Sequence, residues 1–192
     1  MAIDAGNPQP VEWAAALTAR FASASPYDIL FAIYRQSGAG WNRRAQGYML
    51  AYLMRWNSER ALPLLRAALP ASVPEWDMTY ALSKASYIPA LDTFWRERLA
   101  GSPPAVAAQA AFEMSQTGGQ EDQEILRSRL GEWRNFWKGR EIPRPEAELE
   151  GELAQAVMSG AHWRMTEGGM QAIASGCVSE TCRTRFASLA AR

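Results

Sequence analysis

Apolar residues recur along this chain at steps of three and four, the spacing that lays a stripe along one side of a helix. Leu126, Leu130, Trp133 and Trp137 form one such stripe, and Trp13, Leu17 and Phe21 form another. Trp41, Ala45, Tyr48, Tyr52 and Trp56 form a third, with Met49, Leu50, Leu53 and Met54 beside it. A helix apolar over so wide an arc is expected at the centre of its domain. No stretch alternates with the period of two that a half-buried strand needs. The expected fold class is all-α.

Punctuation residues divide the pattern into segments. Residues 1–10 hold glycine, asparagine and two prolines and read as an irregular lead-in. A helix is expected over residues 11–22. Ser25 and Pro26 are placed to cap and open the next, whose apolar face would be Ile29, Leu30, Ile33 and Tyr34. Residues 41–56 and 59–69 follow, with Pro63 predicted to kink the second or mark its true start. In residues 75–86, Trp76, Tyr80, Leu82 and Ala85 are expected to face inward. Tyr87, Ile88 and Pro89 open a helix to about Leu99. Residues 138–145 form a polar break before a helix over 146–159. Thr166 can cap a short helix to Ala174, and Ser179 a last one to Ala191 within a C-terminal capping segment, 176–192.

The clearest unit is Pro103 to Trp137. Two prolines open an alanine-rich helix, Gly118 and Gly119 end it by accepting the left-handed conformation, and Glu121, Asp122 and Glu124 begin the next helix where its dipole favours negative charge. A lone hairpin of this size cannot cover both apolar faces, so it must stack on others. Over residues 103–137 the pattern resembles a HEAT-like repeat. The resemblance implies stacked antiparallel hairpins, an α-α superhelix, across a single domain of residues 1–192. It also implies a protein or peptide partner held along the second helices. Arg66, Trp95, Arg96, Arg127 and Arg134 are the candidates for that face, with Arg43 and Arg44 after Trp41 as a lesser one. Tryptophan and arginine are enriched at interface hot spots.

Composition narrows the function. The chain has 192 residues, 48% of them hydrophobic, enough for a sizeable core. Twenty cations balance twenty anions, and no segment is strongly basic, which disfavours nucleic acid. No stretch approaches a membrane span, and the N-terminus lacks the basic and apolar regions of a signal peptide. No motif for a cofactor, phosphate loop or metalloprotease occurs. His162 is the sole histidine and nothing in the sequence nominates a catalytic partner for it.

Six of the eight tryptophans (Trp13, Trp41, Trp56, Trp76, Trp133 and Trp137) lie on apolar stripes and are expected in the core. Cys177 and Cys182 are the only cysteines. They fit either two buried thiols or a disulfide across the turn at Gly176 and Ser179. The disulfide would be worth about 2 kcal/mol by chain entropy and would imply an oxidising, exported or periplasmic setting rather than the cytoplasm. Two cysteines and one histidine are too few for a metal site. The leading expectation is a non-enzymatic repeat protein that binds a protein or peptide. The family resemblance also admits a DNA glycosylase acting on alkylated bases, with Trp76-Asp77 or Asp92 near Trp95 in its site, although no residue maps onto that family's catalytic aspartate. A bacterial immunity or accessory protein is the third reading.

Overall fold

The computed structural model describes residues 9–84 and 88–190, and helix is the only regular structure among them. Expectations for residues 1–8, for Ala85 and Tyr87 and for Ala191 lie outside the described residues. The chain forms two compact units, residues 1–91 and 92–192.

Unit 1 holds α1 (Gln9–Phe21), α2 (Tyr27–Ser37), a 3-10 turn at Gly38–Gly40, α3 (Arg43–Trp56), α4 (Ser58–Ala68) and α5 (Trp76–Lys84). The wide apolar arc of α3 has the expected consequence. Its Met49, Leu50, Leu53 and Met54 are buried, and it packs against α1 on one side and α5 on the other, with α2 and α4 also against it. Two asparagines set its limits. Asn42 Oδ1 accepts from Ala45 N at 2.8 Å and Asn57 Oδ1 accepts from Arg60 N at 3.0 Å. Gly47 sets the spacing to α5. A Cβ there would lie 2.3 Å from the Met78 carbonyl oxygen, so only glycine permits this approach.

Several expectations in unit 1 are corrected. α1 packs through Ala15 and Ala19 and turns Trp13, Leu17 and Phe21 outward, because alanine lets the helix lie closer to α3 than the large side chains would. α2 buries Tyr27, Phe31 and Tyr34 and exposes Ile29 and Ile33. Ser25 makes no side-chain cap; Pro26 occupies that position. Trp56, Trp76 and Tyr80 are exposed, while Met78, Thr79, Ala81 and Leu82 form the inner side of α5. Pro63 lies inside α4 and neither opens nor ends it.

Unit 2 holds most of α6 (Pro89–Gly101), then α7 (Pro104–Thr117), α8 (Gln120–Trp137), α9 (Arg144–Met158), α10 (Glu167–Ser175), α11 (Glu180–Arg185) and α12 (Ala187–Ala190). α9 is its hub, packed against α7, α8, α10 and α11. The alanine-rich α7 buries Val106, Ala107, Ala110, Ala111 and Met114, and α8 contributes Leu126, Leu130 and Trp133. Gly118 and Gly119 do join α7 to α8, but neither is left-handed; among the described residues only Gly139 has positive φ. Gly118 is required by closeness instead, since a Cβ would meet Met114 O at 2.5 Å and Asp122 Oδ2 at 2.6 Å. Thr166 and Ser179 cap α10 and α11 as expected, accepting from Gly169 N and Cys182 N. The last helix breaks at Phe186 into two short pieces.

Candidate functional site

The most unusual surface lies on α3 and α5 of unit 1. Arg43 and Arg44 occupy the first turn of α3, where the helix dipole disfavours cations. Acidic groups at the start of α5 offset this. Arg43 Nη2 donates to Glu75 Oε1 at 2.9 Å, and Arg44 Nε donates to Asp77 Oδ1 at 3.0 Å. These pairs are exposed and each is worth at most about 1 kcal/mol. Their larger effect is positional, because they hold the Arg44 guanidinium 5.4 Å from the Tyr80 ring. Lys84, one turn along α5, places its Nζ 5.3 Å from the same ring.

Tyr80 is therefore a half-exposed aromatic flanked by two cations, with exposed Trp76 one turn before it. Tyr48 lies close by on α3. Burial raises its phenol above the ordinary value, Tyr80 and Glu12 add to the shift, and Arg44 opposes it. At the end of the strip a cleft of about 310 Å³ is lined by Glu12, Asn42, Arg43, Arg44 and Asp77. The strip offers apolar area, ring faces and N–H donors to a ligand.

Unit 2 has a different polar feature, and it is interior. Glu150 is fully buried on α9. Its carboxylate accepts from Arg134 Nε at 2.8 Å, Val178 N at 2.9 Å and Ser179 N at 2.8 Å. Arg134 Nη2 donates onward to the Ile173 carbonyl at 2.9 Å and lies 3.6 and 3.7 Å from the sulfurs of Cys177 and Cys182. Those sulfurs are bonded to each other, so the disulfide reading holds. Glu150 and the two sulfurs form a close triad, but a disulfide supplies no thiolate ligand and the guanidinium already occupies the carboxylate. A second ion pair steadies the start of α8. Asp122 is buried, accepts from Gly119 N at 3.0 Å and from Arg96 Nε at 2.7 Å, while Arg96 also reaches Glu121 at 3.0 Å. The hydrogen bond to Asp122 pushes the Arg96 guanidinium further above its ordinary value.

The residues nominated from sequence are thus distributed unevenly. Trp95 is only 2% exposed and stacks edge-on with Phe94 in the core of unit 2, so it presents no binding surface. Arg96 and Arg134 serve the ion pairs just described. Arg66 on α4 and Arg127 on α8 are exposed. His162 is exposed as well. The aspartates invoked for glycosylase chemistry gain nothing: Asp77 is engaged by Arg44, and Trp95 is inaccessible beside Asp92. The outward placement of Tyr80 and Lys84 is not legible in the sequence, because an outward stripe on α5 has the same period as an inward one. The signal for them was Gly47, whose lack of a side chain marks the buried side of the α3–α5 pair. No helix among the described residues is long and apolar enough to cross a membrane. No family model, curated protein or solved structure matches the chain.

Proposed function

We propose that this is a non-enzymatic helical-repeat protein that binds a protein or peptide partner through the strip around Tyr80. The observation that carries the reading is the half-exposed Tyr80 ring held between Arg44 and Lys84. Tyrosine, tryptophan and arginine are the residues that dominate binding energy at protein interfaces. The ring faces suit apolar side chains, and Lys84 favours a partner carrying acidic groups. A HEAT-like arrangement within each unit is supported by next-but-one packing, α1 on α3 and α3 on α5 in unit 1 and α7 on α9 in unit 2. Stacked hairpins produce that order, and they create extended binding faces.

The test is site-specific photo-crosslinking in the source cells. A crosslinker replacing Trp76, exposed one turn before Tyr80, should capture a discrete partner, and one replacing Arg127 should not. Capture at both positions alike, or at neither, would remove the basis for this reading.

A further inference from the structure

Unit 2 has a cleft of its own, separate from the Tyr80 strip. It measures about 380 Å³, within the range of small-molecule sites. One part of its lining comes from the turn between α8 and α9 and from the start of α9, which supply Arg140, Ile142, Arg144 and Ala147. The rest comes from Val178 to Arg183, almost the same stretch that the Cys177–Cys182 disulfide closes. That stretch is held from beneath as well. The buried Glu150 carboxylate accepts from the amides of Val178 and Ser179, and the Ser179 hydroxyl accepts from Cys182 N. This wall is therefore fixed before any ligand arrives, which lowers the ordering cost of binding.

The lining carries an excess of cations. Three arginines line the cleft with one acid, Glu180. The cleft beside Arg44 in unit 1 differs, because Glu12 and Asp77 share its lining with Arg43 and Arg44, which pair with Glu75 and Asp77. In unit 2, Arg183 pairs with Glu180 at 3.2 Å and Arg144 with Glu148 at 2.9 Å. Both pairs join exposed neighbours on one helix, so they are weak and can yield to an incoming anion. Arg140 makes no ion pair among the described residues. Gly139, with a φ of 76°, turns the chain out of α8, and the Arg140 guanidinium lies over the Phe136 ring, 4.2 Å from its centroid. The ring positions the cation without neutralising it. An arginine so placed offers a fork of N–H donors that matches the oxygens of a phosphate or carboxylate. The Thr181 hydroxyl adds a further donor, while Ile142, Ala147 and Val178 supply an apolar part of the lining.

We propose that this cleft binds a small molecule carrying an oxyanion, phosphate or carboxylate, on an apolar body. The test is a two-dimensional amide NMR titration of the intact, oxidised chain with phenyl phosphate and, separately, with benzoate. A dissociation constant of about 1 mM is expected for a probe of about ten non-hydrogen atoms at ordinary efficiency. At least one of the two probes should shift the amides of residues 178–183 saturably, and the tighter of them identifies the oxyanion preferred. Inorganic phosphate should bind more weakly than phenyl phosphate, and benzyl alcohol, which lacks the charge, should leave these amides unmoved. Arg140→Gln should weaken binding by about tenfold with unchanged helical circular dichroism. Arg127→Gln, which removes an exposed cation of α8 outside the cleft, should change it by less than about twofold. Tyr80→Ala should leave the titration as it was, so failure here is distinguishable from failure of the partner-binding reading. Saturation by neither anion, equal shifts with benzyl alcohol, or equal losses from Arg140→Gln and Arg127→Gln would overturn the proposal.

Discussion

The two units solve the problem of a small helical core in opposite ways. Among the described residues, unit 1 leaves nine large apolar side chains exposed and unit 2 leaves two, Phe112 and Phe136. Unit 1 carries every tyrosine of the chain. Its helices touch through alanine, glycine and ring stacking, as between Tyr27 and Tyr52. Unit 2 instead buries charge, setting Glu150 against Arg134 and Asp122 against Arg96 and tying its last loop with a disulfide. Buried pairs need several exact partners to offset desolvation, so they fix one arrangement firmly. Surface aromatics fix nothing inside the fold and remain available outside it. The contrast is between buried ion pairs in unit 2 and exposed apolar surface in unit 1.

Substitutions can break this contrast in a graded way. Glu150→Ala should have the largest effect, because it strands the Arg134 cation and the amides of Val178 and Ser179. Loss of one partner of a buried pair costs about 3–5 kcal/mol. Hydrogen exchange should localise the loss to unit 2 and leave α1–α5 protected as before. Gly47→Ala should do the reverse, costing about 1–3 kcal/mol through overpacking. Its new methyl would press on the Met78 carbonyl and the Ala81 side chain of α5, so lost protection should appear in α3 and α5.

Alkaline titration sharpens the same division. Burial pushes the Tyr34 phenol up to about 12, with Arg43 opposing, and raises Tyr27, Tyr48 and Tyr52 as well. From about pH 10, the unfolded chain gives up these protons while folded unit 1 retains them. Stability is therefore complete below pH 10 and falls as pH rises towards 12. Denaturant melts should show this fall in unit 1, and Tyr34→Phe should make it shallower. The smallest effect on stability belongs to Tyr80→Ala, within about 0.5 kcal/mol as for other surface changes. Its expected consequence is loss of the crosslinked partner, read on gels from source cells.

Much of the fold was legible in the sequence, and the physical reason is periodicity. The stripes around Trp41 and Leu126, and the caps at Thr166 and Ser179, specify helices by local chemistry alone. The inward side was less legible. A row such as Trp13, Leu17 and Phe21 carries the same spacing whether it meets a neighbour or solvent, and the alanines that really pack are weak markers of burial. For the same reason Trp95 read as surface and Tyr80 as core. The buried pairs were hidden for another cause: Arg134 and Glu150 stand on different helices, and no spacing rule links them. The disulfide was open to either reading until the loop brought its sulfurs together.

The loop from Cys177 to Cys182 is held by two fasteners of unlike kind. One is covalent between its ends, and the other is the Glu150 carboxylate gripping the amides of Val178 and Ser179 within it. Each restrains freedom the other already limits, so removing both should cost a different amount from the sum of removing each, as neighbouring restraints do. A strongly reducing environment would then loosen this corner without releasing it. The C-terminal helices would stay docked on α9 by charge after the sulfur bond is gone.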